Sequence, residues 1–149
     1  MELIRQFSVF LVNKPGVLAQ VTKTIAQAKI NILAMTMTDT SEHGVLRLVG
    51  EDPEHLRGAL AGLNLPTTET DVLMVTMSNK AGALAEVCQK LADAHINIAY
   101  AYCTTGASGG RTKGVFKVAD PKKAMKLLKD KHGRAKESTL KVHRPAVLR

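Results

Sequence analysis

Two short segments of this chain carry the same residue types, and both could hold a small zwitterion. Residues 13–16 and 79–82 each read Asn-Lys-x-Gly. An asparagine side chain offers both a donor and an acceptor, so one amide can bind either the ammonium or the carboxylate group of an α-amino acid. Glycine lets the backbone approach a ligand without a Cβ in the way. The pattern therefore makes each loop a candidate binding site for a small amino acid.

A second asparagine follows each of these loops after eighteen residues, as Asn31 follows Asn13 and Asn97 follows Asn79. In a β-α-β unit this spacing returns the second asparagine to the opposite end of the sheet, beside the start of the next strand. The second asparagine need not meet the loop of its own copy. It could instead meet the loop of a neighbouring copy across a side-by-side pair.

Apolar residues at helical spacing follow each loop and predict that a helix begins there. The first N–H groups of a helix have no internal partner and carry partial positive charge, which suits a carboxylate. A structural alternative stays open. Asn13 and Asn79 would then only cap the helices, while Asn31 and Asn97 would only tolerate an unusual backbone angle at the helix exit.

The two loops belong to a longer internal repeat. Residues 9–38 and 75–104 align without gaps at an offset of 66 and share thirteen identities. Such a fixed-offset match indicates a duplicated structural unit. We define the first copy as residues 1–70 and the second copy as residues 71–149, which ends in a short basic tail. Units of this size bury little surface alone, so we expect the copies to share an interface.

Periodicity and turn signals predict the same order of elements in both copies. The predicted strands are 3–12, 31–38, 45–49 and 65–70, then 71–78, 97–104, 115–118 and 136–142. The predicted helices begin near residues 17, 52, 82 and 120. Each copy is thus β-α-β-β-α-β, a ferredoxin-like unit of the α+β class. Its antiparallel sheet carries both helices on one face, which leaves the other face bare.

The bare face of the sheet is predicted to be covered. Alternation places Ile98, Tyr100 and Tyr102 on one face of their strand. It likewise places Ile32 and Ala34 on one face of the equivalent strand. Neither face of these two strands looks solvated. We therefore expect the bare face to pack against another sheet or another chain.

The positive charge is uneven along the chain. The formal charge of +8 falls entirely in the second half, and most of it follows Gly110. Nucleic-acid binding through this basic half is one alternative function. Lysines 122, 123, 126 and 129, however, have the spacing of the solvated face of an amphipathic helix, and aromatic residues for base stacking are scarce.

Several other function classes find no support in the sequence. Paired carboxylates, nucleophile–base arrangements and a phosphate-binding loop are absent, so we expect no enzyme and no cofactor. The histidines lack ligand spacing, which argues against a metal site. No apolar run is long enough to span a membrane, and residues 1–5 lack a signal-peptide layout. Cys88 and Cys103 are predicted to be buried free thiols in a reducing cytoplasm.

The repeated residues resemble the opening motif of the ACT domain family, the small ligand-binding regulatory modules of amino-acid metabolism. The motif N-[KR]-P-G-V-L, with N-I eighteen residues further on, stands complete in the first copy and in a looser form in the second. The resemblance covers residues 3–70 and 71–142. It implies that an amino acid binds at the interface between paired domains, in contact with the loop asparagine of one and the strand-start asparagine of the other.

The residues that the resemblance assigns to amino-acid binding are the motif positions of both copies. They are Asn13, Lys14, Pro15, Gly16, Val17, Leu18, Asn31, Ile32, Asn79, Lys80, Ala81, Gly82, Ala83, Leu84, Asn97 and Ile98.

The chain departs from the family pattern at three kinds of position. Leu11 and Met77 stand where the serine-regulated members have a histidine. Lys29 and His95 stand where many members have glycine, which changes the helix exit. Ala81 replaces the proline of the first loop and removes some rigidity.

The resulting hypothesis is a regulatory protein without catalytic activity that binds a small amino acid and signals to a partner in amino-acid metabolism. A homodimer in the cytoplasm is the expected form. One alternative is a regulatory subunit that docks on a separate biosynthetic enzyme. A ferredoxin-fold hydrolase such as an acylphosphatase is less favoured, because the first loop has no arginine cradle.

Overall fold

The computed structural model describes residues 1–39, 43–104 and 110–130. In chain order the elements are β1 (Glu2–Val12), α1 (Val17–Gln27), β2 (Ile32–Asp39), β3 (His43–Gly50), α2 (Pro53–Ala61), β4 (Thr67–Ser78), α3 (Ala83–Asp93), β5 (Ile98–Cys103), β6 (Arg111–Val118) and α4 (Pro121–Asp130). The final strand predicted at residues 136–142 lies outside the described residues.

The strands form one antiparallel sheet in the order β2-β3-β1-β4-β6-β5, which confirms the predicted α+β class. Two apolar clusters join the helices to one face. One combines β1 and β3 with α1 and α2, and the other combines β4 and β6 with α3 and α4. Burial of these side chains is the main force that holds the helices on the sheet. The opposite face is called the helix-free face below.

The two copies meet at the centre of the sheet, where β1 pairs with β4. Arg5 lies opposite Asp71, and these residues are also 66 positions apart, so a pseudo-twofold axis passes between them. Their side chains form an ion pair, with Nε 2.9 Å from Oδ1. Residues 2–5 pair with 71–74, and residues 67–70 pair with 6–9. The predicted boundary between residues 70 and 71 therefore falls inside β4.

The offset between equivalent residues changes once along the chain. It is 66 through β5 and 68 from β6 onward, because Phe7 pairs with Leu48 while its equivalent Leu73 pairs with Phe116.

An irregularity in each edge strand corrects the predicted side-chain alternation. The register shifts between Ile32 and Ala34 in β2 and between Ile98 and Tyr100 in β5. Each shift adds one residue to the edge strand, as in a β-bulge. Ile32 and Ile98 consequently pack on the helix side, whereas Ala34 packs on the helix-free side. The prediction that Ile32 shares a face with Ala34, and Ile98 with Tyr100, was wrong.

The helix-free face is covered from within the chain. The sheet curves until its two edge strands, β2 and β5, contact each other, with the helix-free face inside the curve. A cluster of apolar residues is buried there, namely Ala34, Val49, Val72, Met74 and Val115. The face is covered as expected, but the cover is the other half of the same sheet and not another sheet or another chain.

A polar network lies beside this apolar cluster, inside the same curve. The side chain of Gln6 is 0% exposed. Its Nε2 donates to the Tyr100 hydroxyl at 2.7 Å and to Ser8 Oγ at 3.4 Å, and its Oε1 accepts from the Tyr102 hydroxyl at 2.9 Å. The guanidinium carbon of Arg47 lies 4.4 Å from the centroid of the Tyr100 ring. We call Gln6, Ser8, Arg47, Tyr100 and Tyr102 the tyrosine latch.

Two further expectations have clear outcomes. Cys88 is half-buried and Cys103 is exposed, so the prediction of two buried thiols was wrong. Cys103 lies on the edge strand β5, which has a neighbouring strand on one side only in the ladder. The lysines of α4 are exposed opposite the buried Ala124 and Leu128, as expected for an amphipathic helix.

Within the described part of the chain, no helix has the length and apolar character needed to cross a membrane.

Candidate functional site

The two helix-start loops have nearly identical backbones. Gly16 and Gly82 precede the helices with φ of 88° and 89°, a left-handed conformation that favours glycine. Neither α1 nor α3 has a side-chain cap hydrogen bond. Glycine, and not Asn13 or Asn79, thus occupies the cap position of each helix. The first-turn N–H groups of both helices lack the carboxylate or hydroxyl that usually caps them.

The two loop asparagines have different surroundings. The side-chain amide of Asn13 is exposed and donates to Asp39 Oδ1 at 3.1 Å, at the end of β2. Asn79 is half-buried, and its backbone N–H donates to the carbonyl of Gly110 at 2.8 Å. A carboxylate thus stands beside the first loop and disfavours an anionic ligand there.

The strand-start asparagines share one backbone role. The carbonyls of Asn31 and Asn97 accept from the N–H groups of Glu51 and Ala119, both at 3.1 Å. The Asn31 amide also donates to Glu51 Oε1 at 3.0 Å. These contacts tie each asparagine to the loop after the neighbouring strand, β3 or β6.

The unusual backbone angle at each helix exit belongs to a different residue from the one anticipated. Lys29 and His95 have φ of 57° and 55°, whereas Asn31 and Asn97 are not in the left-handed region. The alternative that these asparagines merely tolerate such an angle was therefore wrong. The helix exit keeps a left-handed residue even though neither position is glycine.

Strand directions decide which site residues share an end of the sheet. β1 and β2 run parallel, because both are antiparallel to β3, so Asn13 and Asn31 lie at opposite ends. β4 and β5 run the other way. Asn13 therefore shares one end with Asn97, and Asn31 shares the other end with Asn79. Two strands separate the members of each such pair along the sheet.

A cavity of about 250 Å³ opens beside the second loop. Predicted residues Asn79, Lys80, Ala83 and Leu84 form one wall of it. The rest of the lining was not predicted from the sequence and comes from three strands, namely Met77, Ser78, Cys103, Thr104 and Thr112. These residues sit at strand ends, and only their register across the sheet brings them to the loop.

The far wall of this cavity is polar and held by hydrogen bonds between β5 and β6. Thr104 Oγ1 accepts from the Lys113 N–H at 3.0 Å, and Thr112 Oγ1 donates to the Thr104 carbonyl. Partial burial of the thiol raises the pKa of Cys103, with a smaller contribution from Cys88. Cys103 is therefore a neutral thiol at physiological pH. The cavity combines a helix start, hydroxyl groups and small apolar surfaces.

Other predicted residues lie elsewhere. Asn97 and Ile98 line a shallow depression at the opposite end of α3, together with Cys88, Ala92 and His95. Gly16, Pro15 and Lys14 are exposed in the first loop. In the described ranges, no group of three or more histidine, cysteine or acidic residues has an arrangement that would hold a metal ion.

The chain is similar to known proteins in both sequence and fold. The model of the ACT domain pair family matches residues 2–140. A solved protein from Bacteroides thetaiotaomicron is 30% identical, with a TM-score of 0.80 over 87% of this chain and 89% of that one. A search of curated proteins gives no significant match.

Two more distant structures show the same fold. The ligand-free regulatory subunit of aspartate kinase from Thermus thermophilus has a TM-score of 0.63 at 13% identity, over 87% of this chain and 97% of that one. The regulatory subunit of aspartate kinase from Thermus flavus has a TM-score of 0.55 at 18% identity, over 87% and 93%. The repeated motif, the paired sheet halves and the family match agree, and the chain belongs to the ACT domain pair family.

Proposed function

We propose that this protein binds a small amino acid at the start of α3 and passes the occupancy of that site to a partner in amino-acid metabolism. It acts as a regulatory protein and not as an enzyme. The observation that carries the proposal is the pair of uncapped helix starts, each preceded by a left-handed glycine. Unpaired N–H groups at a helix start suit the carboxylate of an amino acid.

The second copy offers the better site. Its cavity has the α3 N–H groups for the carboxylate, the Asn79 side chain beside the loop and the Thr104 and Thr112 side chains on the opposite wall. The volume of about 250 Å³ suits a ligand of few atoms. Ala83 and Cys103 leave room for a small apolar or hydroxyl-bearing side chain.

The first copy has larger residues at the equivalent positions. Val17 replaces Ala83, and Met37 replaces Cys103. The methyl group of Met37 lies only 2.8 Å from the place that a Cβ on Gly44 would take, so Met37 lies flat across that glycine. With Asp39 beside Asn13 as well, the first loop is both more crowded and more negative. The proposal therefore assigns binding to the second copy.

A thermal-shift screen of the twenty amino acids tests the proposal. One or a few amino acids are expected to raise the melting temperature. At a hundred times its dissociation constant, a ligand stabilises the folded state by about 2.7 kcal/mol. If none of the twenty amino acids raises the melting temperature at millimolar concentration, the proposed function is wrong.

A variant tests where the ligand binds. Cys103→Met introduces the residue of the first copy, but it cannot lie flat, because Thr112 stands where the first copy has Gly44. The new side chain must turn into the cavity, and we expect affinity to fall by at least about tenfold, roughly 1.4 kcal/mol. The matched control is Met37→Cys, which should leave the affinity unchanged. If Met37→Cys changes affinity and Cys103→Met does not, the assignment to the second copy is wrong.

We further propose that this protein self-associates in the cytoplasm. Among the described residues, the large exposed apolar side chains are Phe10, Val12, Met35, Met37 and Leu84. Apolar surface of this kind supports docking of a second copy of the chain. Sedimentation velocity at micromolar concentration checks this, and a monomer at all concentrations would favour docking on a separate enzyme instead.

A further inference from the structure

The tyrosine latch joins the outermost strand of the second copy to the first copy. Tyr100 and Tyr102 lie on β5, whereas Gln6 lies on β1, and two strands separate β5 from β1 along the sheet. The contact therefore runs across the curved helix-free face and not along the ladder. It makes the position of β5 depend on the first copy.

The hydrogen bonds of Gln6 require both tyrosines at once. Its fully buried carboxamide donates to Tyr100 and accepts from Tyr102, and both distances are below 3 Å. A buried amide that loses a partner is costly, because water cannot replace the hydrogen bond. The latch is therefore either closed with all groups satisfied or opened as a unit.

The latch reaches a third strand of the first copy through Arg47. The guanidinium stacks on the Tyr100 ring, a cation–π contact, and its Nη1 donates to Thr38 Oγ1 at 3.2 Å. Tyr100 is thus held by groups from β1 and β3, and through Thr38 by β2.

The pseudo-twofold axis provides an internal comparison. The equivalents of four latch residues, Gln6, Ser8, Tyr100 and Arg47, are apolar and lie in the buried cluster of the helix-free face, at Val72, Met74, Ala34 and Val115. The equivalent of Tyr102 is Thr36. The fold therefore tolerates apolar side chains at the positions that the pseudo-twofold axis relates to the latch. Burial of this face does not require a polar network, so the latch has a role besides burial.

The strand that the latch holds also forms the walls of the cavities. Cys103 at the end of β5 lines the cavity beside the second loop, and Ile98 at its start lines the depression at the other end of α3. The two tyrosines lie between these positions. A displacement of β5 would change both ends together.

We propose that the tyrosine latch positions β5 and thereby couples the ligand cavity of the second copy to the first copy. Opening of the latch would displace Cys103, which lines the cavity, and we infer that a closed latch and an occupied cavity therefore favour each other. By reciprocity, ligand binding tightens the latch by the same factor that latch closure tightens ligand binding. The ligand part of this inference depends on the proposed function, whereas the positioning of β5 does not.

Amide hydrogen exchange of the full chain without any ligand tests the positioning role. Gln6→Leu removes all three hydrogen bonds, and Tyr102→Phe removes one. Both should speed exchange in residues 98–103, by at least about tenfold for Gln6→Leu, with little change in α1. Leu60→Ala is the control, because it weakens the helix side of the first copy without touching β5. If Gln6→Leu leaves β5 protected, or speeds exchange equally everywhere, the positioning role is wrong.

The coupling is tested with the amino acid that gives the largest shift in the thermal screen. Tyr100 and Tyr102 are the only tyrosines of the sequence, and tryptophan is absent, so intrinsic fluorescence reports on the latch alone. The amino acid should change that emission in the wild type, and Gln6→Leu should weaken its binding by about tenfold. Unchanged emission together with unchanged affinity would overturn the coupling. If no amino acid binds the wild type, the proposed function fails, while the exchange experiment still decides the role of the latch.

Discussion

Lys29 and His95 occupy backbone angles that side chains rarely adopt, at equivalent places in the two copies. The left-handed conformation costs a non-glycine residue roughly 1–2 kcal/mol. The chain accepts this cost because the turn must bring Ile30 and Ile96 back under the sheet immediately after the helix. The backbone N–H groups of Ile30 and Ile96 bond to the carbonyls of Ile25 and Leu91, which fixes the turn.

This strain gives a prediction for a single residue. Lys29→Gly should raise the free energy of unfolding by about 0.5–1 kcal/mol, because relief of strain exceeds the added entropy of the unfolded glycine. The midpoint of urea unfolding measures it. Lys23→Gly, in the middle of α1, is the control and should lower stability by about 1 kcal/mol. A midpoint for Lys29→Gly at or below that of the wild type would contradict the strain argument.

The helices of this chain begin in two different ways, with or without a side-chain cap. Asp52 caps α2 by accepting from the N–H groups of Glu54 and His55, both at 3.1 Å. α1 and α3, which carry the family motif, have no such cap. The first N–H groups of α1 and α3, those of Val17 and Ala83, donate to the carbonyls of Lys14 and Lys80. α2 thus receives a side-chain cap, whereas the helix starts proposed for ligand binding do not.

Asp52→Ala should lower the melting temperature by about 2–4 °C, whereas Asn13→Ala should have no effect through helix capping. The pKa of Asp52 is lowered, first by the backbone hydrogen bond from His55. A lowered folded pKa means that this stabilisation is present above the unfolded pKa of 3.8 and is lost as the pH falls below it. The difference between wild type and Asp52→Ala should therefore shrink in acid. An equal difference at pH 7 and at pH 3 would count against the cap.

The sequence predicted the order and type of the described elements, because helical and strand periods are local signals. It could not predict the face of Ala34 or Ile98, because a single bulged residue reverses the alternation. It also could not predict Cys103, Thr104 and Thr112 in the cavity, since only register across the sheet brings them to the loop. The latch joins Gln6 to residues more than ninety positions away, which no local pattern reports.

Across the whole molecule, the curved sheet makes the tyrosines part of the interior. Burial, with a smaller contribution from the Tyr100 phenol, raises the pKa of Tyr102 above its ordinary value of 10.0. A raised folded pKa means that the unfolded chain releases its proton first as the pH rises. The stabilisation by Tyr102 is therefore complete below about pH 10 and is lost above it.

Unfolding by urea at a series of alkaline pH values measures this dependence, and the ultraviolet absorbance of tyrosinate follows ionisation directly. Wild type should lose stability above about pH 10, and Tyr102→Phe should lose less over the same range. Ionisation of both tyrosines in the folded protein near pH 10, without loss of stability, would contradict burial of the phenol.

The pairing of the two central strands, β1 and β4, has a consequence for the stability of each half of the chain alone. Residues 2–5 complete the ladder beside residues 71–74, and residues 67–70 complete the ladder beside residues 6–9. Excision of either half would therefore leave β1 or β4 with an edge of unpaired backbone groups, so we expect neither half to be stable without the other.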